Sequence, residues 1–295
     1  MTASEALRRD DDLSGRRGYD PGFLGLPVPL PELTTGHPTV ALPYTHFTVL
    51  HRPDRRLAAV TALAMDGARL RSLDREGIEW SLDPRLPVDQ QAGAAVYARN
   101  DLDRGHLVRR ASACWGRDET EAEQANVDSF YYPNAAPQAA LFNQGRQLWL
   151  GLEDHVQEHA EVHDRKLVVL AGPVLDPADP PYRGVRIPLL FWKVVAFVQD
   201  GALAATGYLL DQTPLVDDLE AAVAEAAAVG DPPPLGAYRT FQVPIADIGE
   251  VAGVDLAALA AVDRLPVLTG TDRAPGPHGR PAAWVELGSL DDVRL

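Results

Sequence analysis

The feature that most constrains the fold is a pair of short, nearly continuous apolar runs at residues 167–174 and 188–198, each bounded by Pro and Gly. Runs of this length with so few polar interruptions read as strands buried on both faces, so they predict the middle of a central sheet. The longest strongly apolar stretch, 187–198, is broken by Pro188 and Lys193. It falls far short of the roughly 20 residues that a membrane-spanning helix needs, and no membrane partner is expected. Residues 45–51 alternate apolar and polar, then return through Pro53 and Asp54 to an apolar 57–60 segment, which is the pattern of a hairpin. Residues 216–228 combine strong helix formers with acids in the first turn and stop at the Pro232 to Pro234 run; 245–254 reads as a second, shorter helix.

At 295 residues and 46% hydrophobic composition the chain can bury a substantial core. It shows no internal repeat and no shift of composition that would mark a boundary. The expectation is therefore one domain over residues 18–295, with its chemistry concentrated in 97–165, behind a charged, aperiodic and disordered leader at 1–17. The Pro/Gly-rich 269–281 stretch reads as a loop. The N-terminal residues lack the apolar run of a Sec signal, which leaves cytoplasmic residence or a non-Sec route of export as the expectation. Cys114 is the only cysteine, so an internal disulfide and a cysteine-cluster zinc site are excluded, and it reads as a small packed side chain.

A net charge of −15 argues against a protein that coats nucleic acid electrostatically. The charge is unevenly spread, however. Residues 211–295 carry 14 acids and 5 bases, whereas 97–117 hold Arg99, Arg104, Arg109, Arg110 and Arg117 against only Asp101 and Asp103. A basic strip survives in an acidic chain.

That strip contains Asp103-Arg104-Gly105-His106. Asn134, Pro137 and Gln138 follow, then Asn143, and then Trp149 and Leu152-Glu153. Each part suits phosphodiester cleavage. An imidazole can take a proton from water near neutral pH, an amide oxygen can ligate a hard divalent cation, and a guanidinium can stabilise a pentacovalent phosphate. His106, Asn143 and Arg104 supply these three. A lone His beside Gly is usually a turn or core residue, and a lone Asn a helix cap. The ordered set carries the argument where no single member does.

The set resembles the DNA/RNA non-specific endonuclease family, whose members have the ββα-metal (His-Me finger) fold. The resemblance continues through Gly172-Pro173, Trp192-Lys193, Asp211-Gln212-Thr213-Pro214 and Phe241-Gln242-Val243-Pro244, and so covers roughly residues 18 to 260. It implies an α+β fold with a central, mainly antiparallel sheet flanked by helices, and an enzyme that hydrolyses DNA and RNA through backbone contacts. It further implies His106 as general base, Arg104 on the scissile phosphate and Asn134 supporting the site. Asn143 would be the direct ligand of a single Mg²⁺, with Mn²⁺ as a substitute, while Glu153 and Asp103 would hold metal-bound waters. Arg75, Arg85, Arg99 and Arg109 are the candidates for the remaining phosphate contacts, Arg75 being the nearest match to the family's upstream arginine. Pro133 stands where many members carry a hydroxyl residue. Asn143 and Glu153 are ten residues apart, a wider spacing than the family's. A regular helix would leave the pair about 80° apart and bring Asp154 within about 20° of Asn143's face. The local Trp149 to Glu153 spacing nevertheless favours Glu153. A homodimer, with the apolar 185–198 region as part of its interface, and an inhibitor protein that the chain does not identify are the partners such a family suggests.

Two competing classes follow from the same residues. One is a catalytically inactive nucleic-acid-binding module of the same fold, favoured by the acidic charge and the altered spacing. The other is a zinc peptidase built on His155, Glu158 and His159, with Glu225 as a further ligand, because His-x-x-Glu-His is a zinc motif. A solvated helix stripe, which would also include His163, is the simpler account of those histidines.

Overall fold

The computed structural model describes residues 12–140, 165–265, 284–289 and 292. Its centre is an eight-stranded sheet in the order β1-β2-β3-β6-β9-β10-β11-β12, in which every neighbouring pair is antiparallel. The strands are β1 (Val40–Pro43), β2 (Phe47–Arg52), β3 (Leu57–Asp66), β6 (Lys166–Pro173), β9 (Leu190–Gln199), β10 (Ala202–Asp211), β11 (Arg239–Val243) and β12 (Val285–Glu286). The two apolar runs are β6 and β9, paired side by side in the middle, and the expected hairpin is β2–β3.

The continuous apolar character of β9 follows from burial on both sides. Phe191, Val195 and Phe197 enter one core cluster, and Trp192, Val194 and Ala196 the other. Strand residues alternate between faces, so a strand covered on both sides has few polar positions to show, Lys193 being the buried exception in β9. Between Val185 and Phe197 most large apolar side chains are in the interior, while Leu189, Leu190 and Val198 are partly exposed.

Each face has its own cover. Helices α5 (Ile245–Ala252) and α6 (Ala257–Ala260) lay Ile245, Ile248, Leu256 and Leu259 on the Trp192 face. The opposite face carries α2 (Arg110–Ala113), α3 (Glu119–Asp128) and a separate two-stranded ladder, β4 (Leu102–His106) with β5 (Ala135–Ala139), through Ala113, Ala125, Leu107, Ala136 and Ala139. A short helix α1 (Ala94–Tyr97) precedes β4, and a small hairpin, β7 (Pro181–Tyr182) with β8 (Val185–Arg186), lies apart from the sheet.

The predicted helix at 216–228 is α4 (Leu219–Val229), capped by the Asp218 side chain on the Ala221 amide and ended by Gly230 at φ 80°. From Leu13 onward the expected leader is packed on the fold. Leu13 is buried, and Arg16 forms a two-pronged ion pair with the buried carboxylate of Asp128, which also accepts from Thr45. A charged segment reads as a tail when its partner lies more than a hundred residues away. The expected 269–281 loop falls outside the described residues.

Candidate active site

The motif residues meet across the β4–β5 ladder, where Asp103 faces Gln138, Gly105 faces Ala136 and His106 faces Ala135. Three side chains tie this short ladder to backbone groups, and a fourth packs on it. Asn134 is fully buried; its Oδ1 accepts from Val108 N at 2.8 Å, and its Nδ2 donates to Val108 O and Ser129 O at 3.0 and 2.9 Å. It clamps the chain just after His106 and has no atom left for a substrate. Gln212, at the end of β10, accepts from Ala139 N and donates to Pro188 O, which ties β5 to the sheet. The Tyr238 hydroxyl donates to Ala139 O at 2.5 Å. The Gln138 side chain lies over Gly105 so closely that any Cβ there would overlap Gln138 Cδ and Oε1. A residue with a Cβ at 105 would have to push the Gln138 side chain aside.

A cleft of about 890 Å³ opens over this ladder. Arg75, Arg104, Arg109 and Arg110 line it, with Asp103 the sole acid among the described lining residues, a local charge of +3 in a chain of −15. His106, Gln138, Trp80 and Phe130 complete the part that bears on chemistry. The His106 ring is half-buried, 4.6 Å from the Trp80 ring and in edge contact with Phe130 at 5.0 Å. Its Nε2 is buried without a hydrogen-bond partner among the described residues. Burial between these aromatic rings, with Arg110 and Arg75 adding positive charge, pulls the imidazole down to about 3. His106 is thus neutral at physiological pH, with a nitrogen lone pair available as a base.

Arg75 and Arg110 reach the cleft through a shared support. Arg110 donates to Leu73 O and Asn126 Oδ1, and Asn126 donates to Asp74 O, so the 73–75 turn is fastened to α2 and α3. Arg104 stacks over Tyr97 at 5.2 Å. Two of the expected phosphate contacts are elsewhere. Arg85 is held by the Asp83 carboxylate, the Pro43 carbonyl and the face of Tyr44, and Arg99 opens onto a different cavity. Arg110, Trp80, Phe130 and Gln138 were not singled out as site residues; Arg110 at least belongs to the basic strip, whereas Trp80 meets His106 from 26 positions away with no local signal. Cys114 is buried as expected, its thiol pushed up to about 11 by burial.

Asn143, Glu153 and the histidines at 155, 159 and 163 lie outside the described residues. Among the described residues no three His, Cys, Asp or Glu side chains gather as a metal cage. The described cleft wall offers the Asp103 carboxylate and the Gln138 amide, hard oxygen donors, and no thiolate. That donor set fits a water-rich Mg²⁺ or Mn²⁺ better than a closed zinc site.

The family model for DNA/RNA non-specific endonucleases matches residues 31–263. The chain therefore belongs to the DNA/RNA non-specific endonuclease family. It is 36% identical over 282 residues to the uncharacterized protein y4fB of Sinorhizobium fredii, an alignment covering 86% of this chain and 42% of y4fB. The chain thus spans about two fifths of the length of that curated relative. A solved EndoG/EndoGI complex, described as showing the mechanism of EndoG inhibition, contains a chain of similar fold: TM-score 0.54 at 18% identity, covering 72% of this chain and 84% of that one. The likeness is one of fold.

Proposed function

We propose that the chain is a metal-dependent endonuclease that hydrolyses the phosphodiester bonds of DNA and RNA without sequence preference. The observation that carries this is the His106 imidazole, held against Trp80 and Phe130 on a cleft whose described charged lining sums to +3, where burial and the nearby guanidiniums favour its neutral form. Four guanidiniums favour a polyanion whatever its sequence, because phosphate contacts position a strand and leave its bases unread.

In this reading the His106 imidazole takes a proton from a water as the water oxygen bonds to phosphorus and the bond to the leaving oxygen breaks. Arg104 and Arg110 neutralise the non-bridging oxygens, with Arg75 and Arg109 aligning the flanking phosphates. Asn134 acts only through the 107–108 backbone that it clamps. Asn143 would hold the metal directly, Asp103 and Glu153 through water; the metal, when bound, supplies positive charge at the leaving oxygen. An inhibitor protein, as in the EndoG/EndoGI complex, would act on this chain by covering the same cleft.

The test is nicking of supercoiled plasmid and degradation of RNA by the wild-type protein with Mg²⁺, with Mn²⁺ and with chelator. Cleavage of both substrates that chelator abolishes is the expected result. Binding without cleavage under every metal condition would replace this reading with that of an inactive nucleic-acid-binding module.

A further inference from the structure

Three of the five described non-glycine residues with left-handed backbone are arginines: Arg56 at φ 61°, Arg99 at 54° and Arg183 at 45°. Such a conformation costs on the order of 1 kcal/mol or more for an L side chain and persists only where surrounding contacts enforce it. All three gather around α1. Arg183 donates to Ala95 O and Ala98 O at 3.0 and 2.6 Å, Arg56 donates to Gln91 O just before the helix, and Arg99 follows it. Arg56 also reaches Gly184 O, and Arg186 reaches Asp179 O, so the β2–β3 turn and the β7–β8 hairpin close into one collar.

Backbone carbonyls order a guanidinium without neutralising it. Six arginines (52, 55, 56, 99, 183 and 186) stand with five aspartates (54, 101, 176, 179 and 231), a sum of +1 in an acidic chain; Arg52 and Arg55 are ion-paired with Asp54 and Asp179, whereas Arg183 and Arg186 bond to backbone carbonyls alone among the described contacts. Two open cavities of about 400 and 470 Å³ flank the collar; Arg183 and Arg186 line the first, Arg99 the second, and Tyr182 borders both. The collar is joined to the cleft through α1 itself, because Tyr97 of that helix carries Arg104 over its ring.

We propose that this arginine collar is a second binding site for the phosphodiester backbone of a nucleic acid whose scissile bond lies in the cleft. The placement of that bond rests on the nuclease reading; the collar's affinity for phosphodiester backbone does not, and it can be measured without cleavage.

The experiment is equilibrium binding, in chelator, of a short duplex of about 8 base pairs and a long one of about 30, across a salt series. The proteins compared are the wild type and the double variants R183E/R186E and R183K/R186K. For the charge-reversed variant, affinity for the long duplex should fall roughly tenfold and the log–log salt slope by about 2, at about 0.9 per phosphate contact. Its affinity for the short duplex should stay within about twofold, and the lysine variant should keep the wild-type slope. An unchanged long-duplex affinity and slope would overturn the proposal. So would an equal proportional loss on both duplexes, or a lysine variant as weak as the charge-reversed one, since each would assign the arginines to fold maintenance. Cleavage of the short duplex by the wild type with Mg²⁺, measured in parallel, decides the nuclease reading separately.

Discussion

The eight-stranded sheet and the β4–β5 ladder are both antiparallel β-structure, yet different forces hold them. The sheet is stabilised by apolar burial on two faces, and β2 and β3 have every residue buried. The ladder is five residue pairs long, and side-chain to backbone bonds from Asn134, Gln212 and Tyr238 fasten it to the rest of the molecule. Apolar burial is forgiving of position but consumes both faces. Polar ties fix a few atoms and leave one surface open, which is how a half-buried imidazole and four arginines can share a cleft.

The largest expected stability effect breaks the sheet side of this comparison. Trp192→Ala, at a fully buried position, should lower unfolding free energy by about 3–5 kcal/mol, read from urea unfolding, and should reduce activity only in proportion to the folded fraction. A loss of activity in the fully folded variant would show that the two regions are not separable. On the ladder side, Asn134→Ala leaves Val108 N and two carbonyls unpaired and should cost about 2–4 kcal/mol. Unlike the Trp192 change, it should also lower kcat in folded protein while KM stays near wild type; a shifted KM with normal kcat would mean that Asn134 contacts substrate.

Gly105→Ala sharpens the account of the ladder, since the new methyl must displace Gln138. It should cost about 1–3 kcal/mol, and most of that should be recovered in a Gly105→Ala/Gln138→Ala double variant. Additive costs would show that the glycine is needed for something other than room for Gln138. The smallest effect is on pH. Free histidine titrates near 6.5, and His106 is pulled down to about 3 in the folded protein. The unfolded chain therefore binds the extra proton first, and stability should fall as pH drops through that window. Because His46 and His51 are pulled down by burial in the same direction, the informative quantity is the difference between wild type and His106→Gln, whose stability should fall less steeply with acid. Parallel curves would contradict the neutral, desolvated imidazole.

Much of the sheet was legible because two-sided burial leaves a local signature: β6 and β9 are simply the apolar runs, and β2–β3 shows its turn in Pro53 and Asp54. The α4 helix likewise carries its own cap and stop in Asp218 and Gly230. The order of the motif did not show that Asp103 would pair with Gln138 or that Asn134 would be buried against the 108 backbone. What could not be read depended on distance along the chain. Nothing near Trp80 announces that it will lie against His106, and Leu13 and Arg16 look like tail until Asp128 is brought to them. Arg85 shows the opposite error, where a basic residue in the right neighbourhood is taken by Asp83 and Tyr44 before any substrate arrives.

The central claim, that a neutral His106 in an arginine-walled cleft is a general base, is tested most directly by His106→Ala. The account predicts that Mg²⁺-dependent plasmid cleavage falls by more than about a hundredfold, the scale of a lost general base, while the thermal midpoint and DNA affinity stay near wild type. Cleavage within a few-fold of wild type in that folded variant would contradict it.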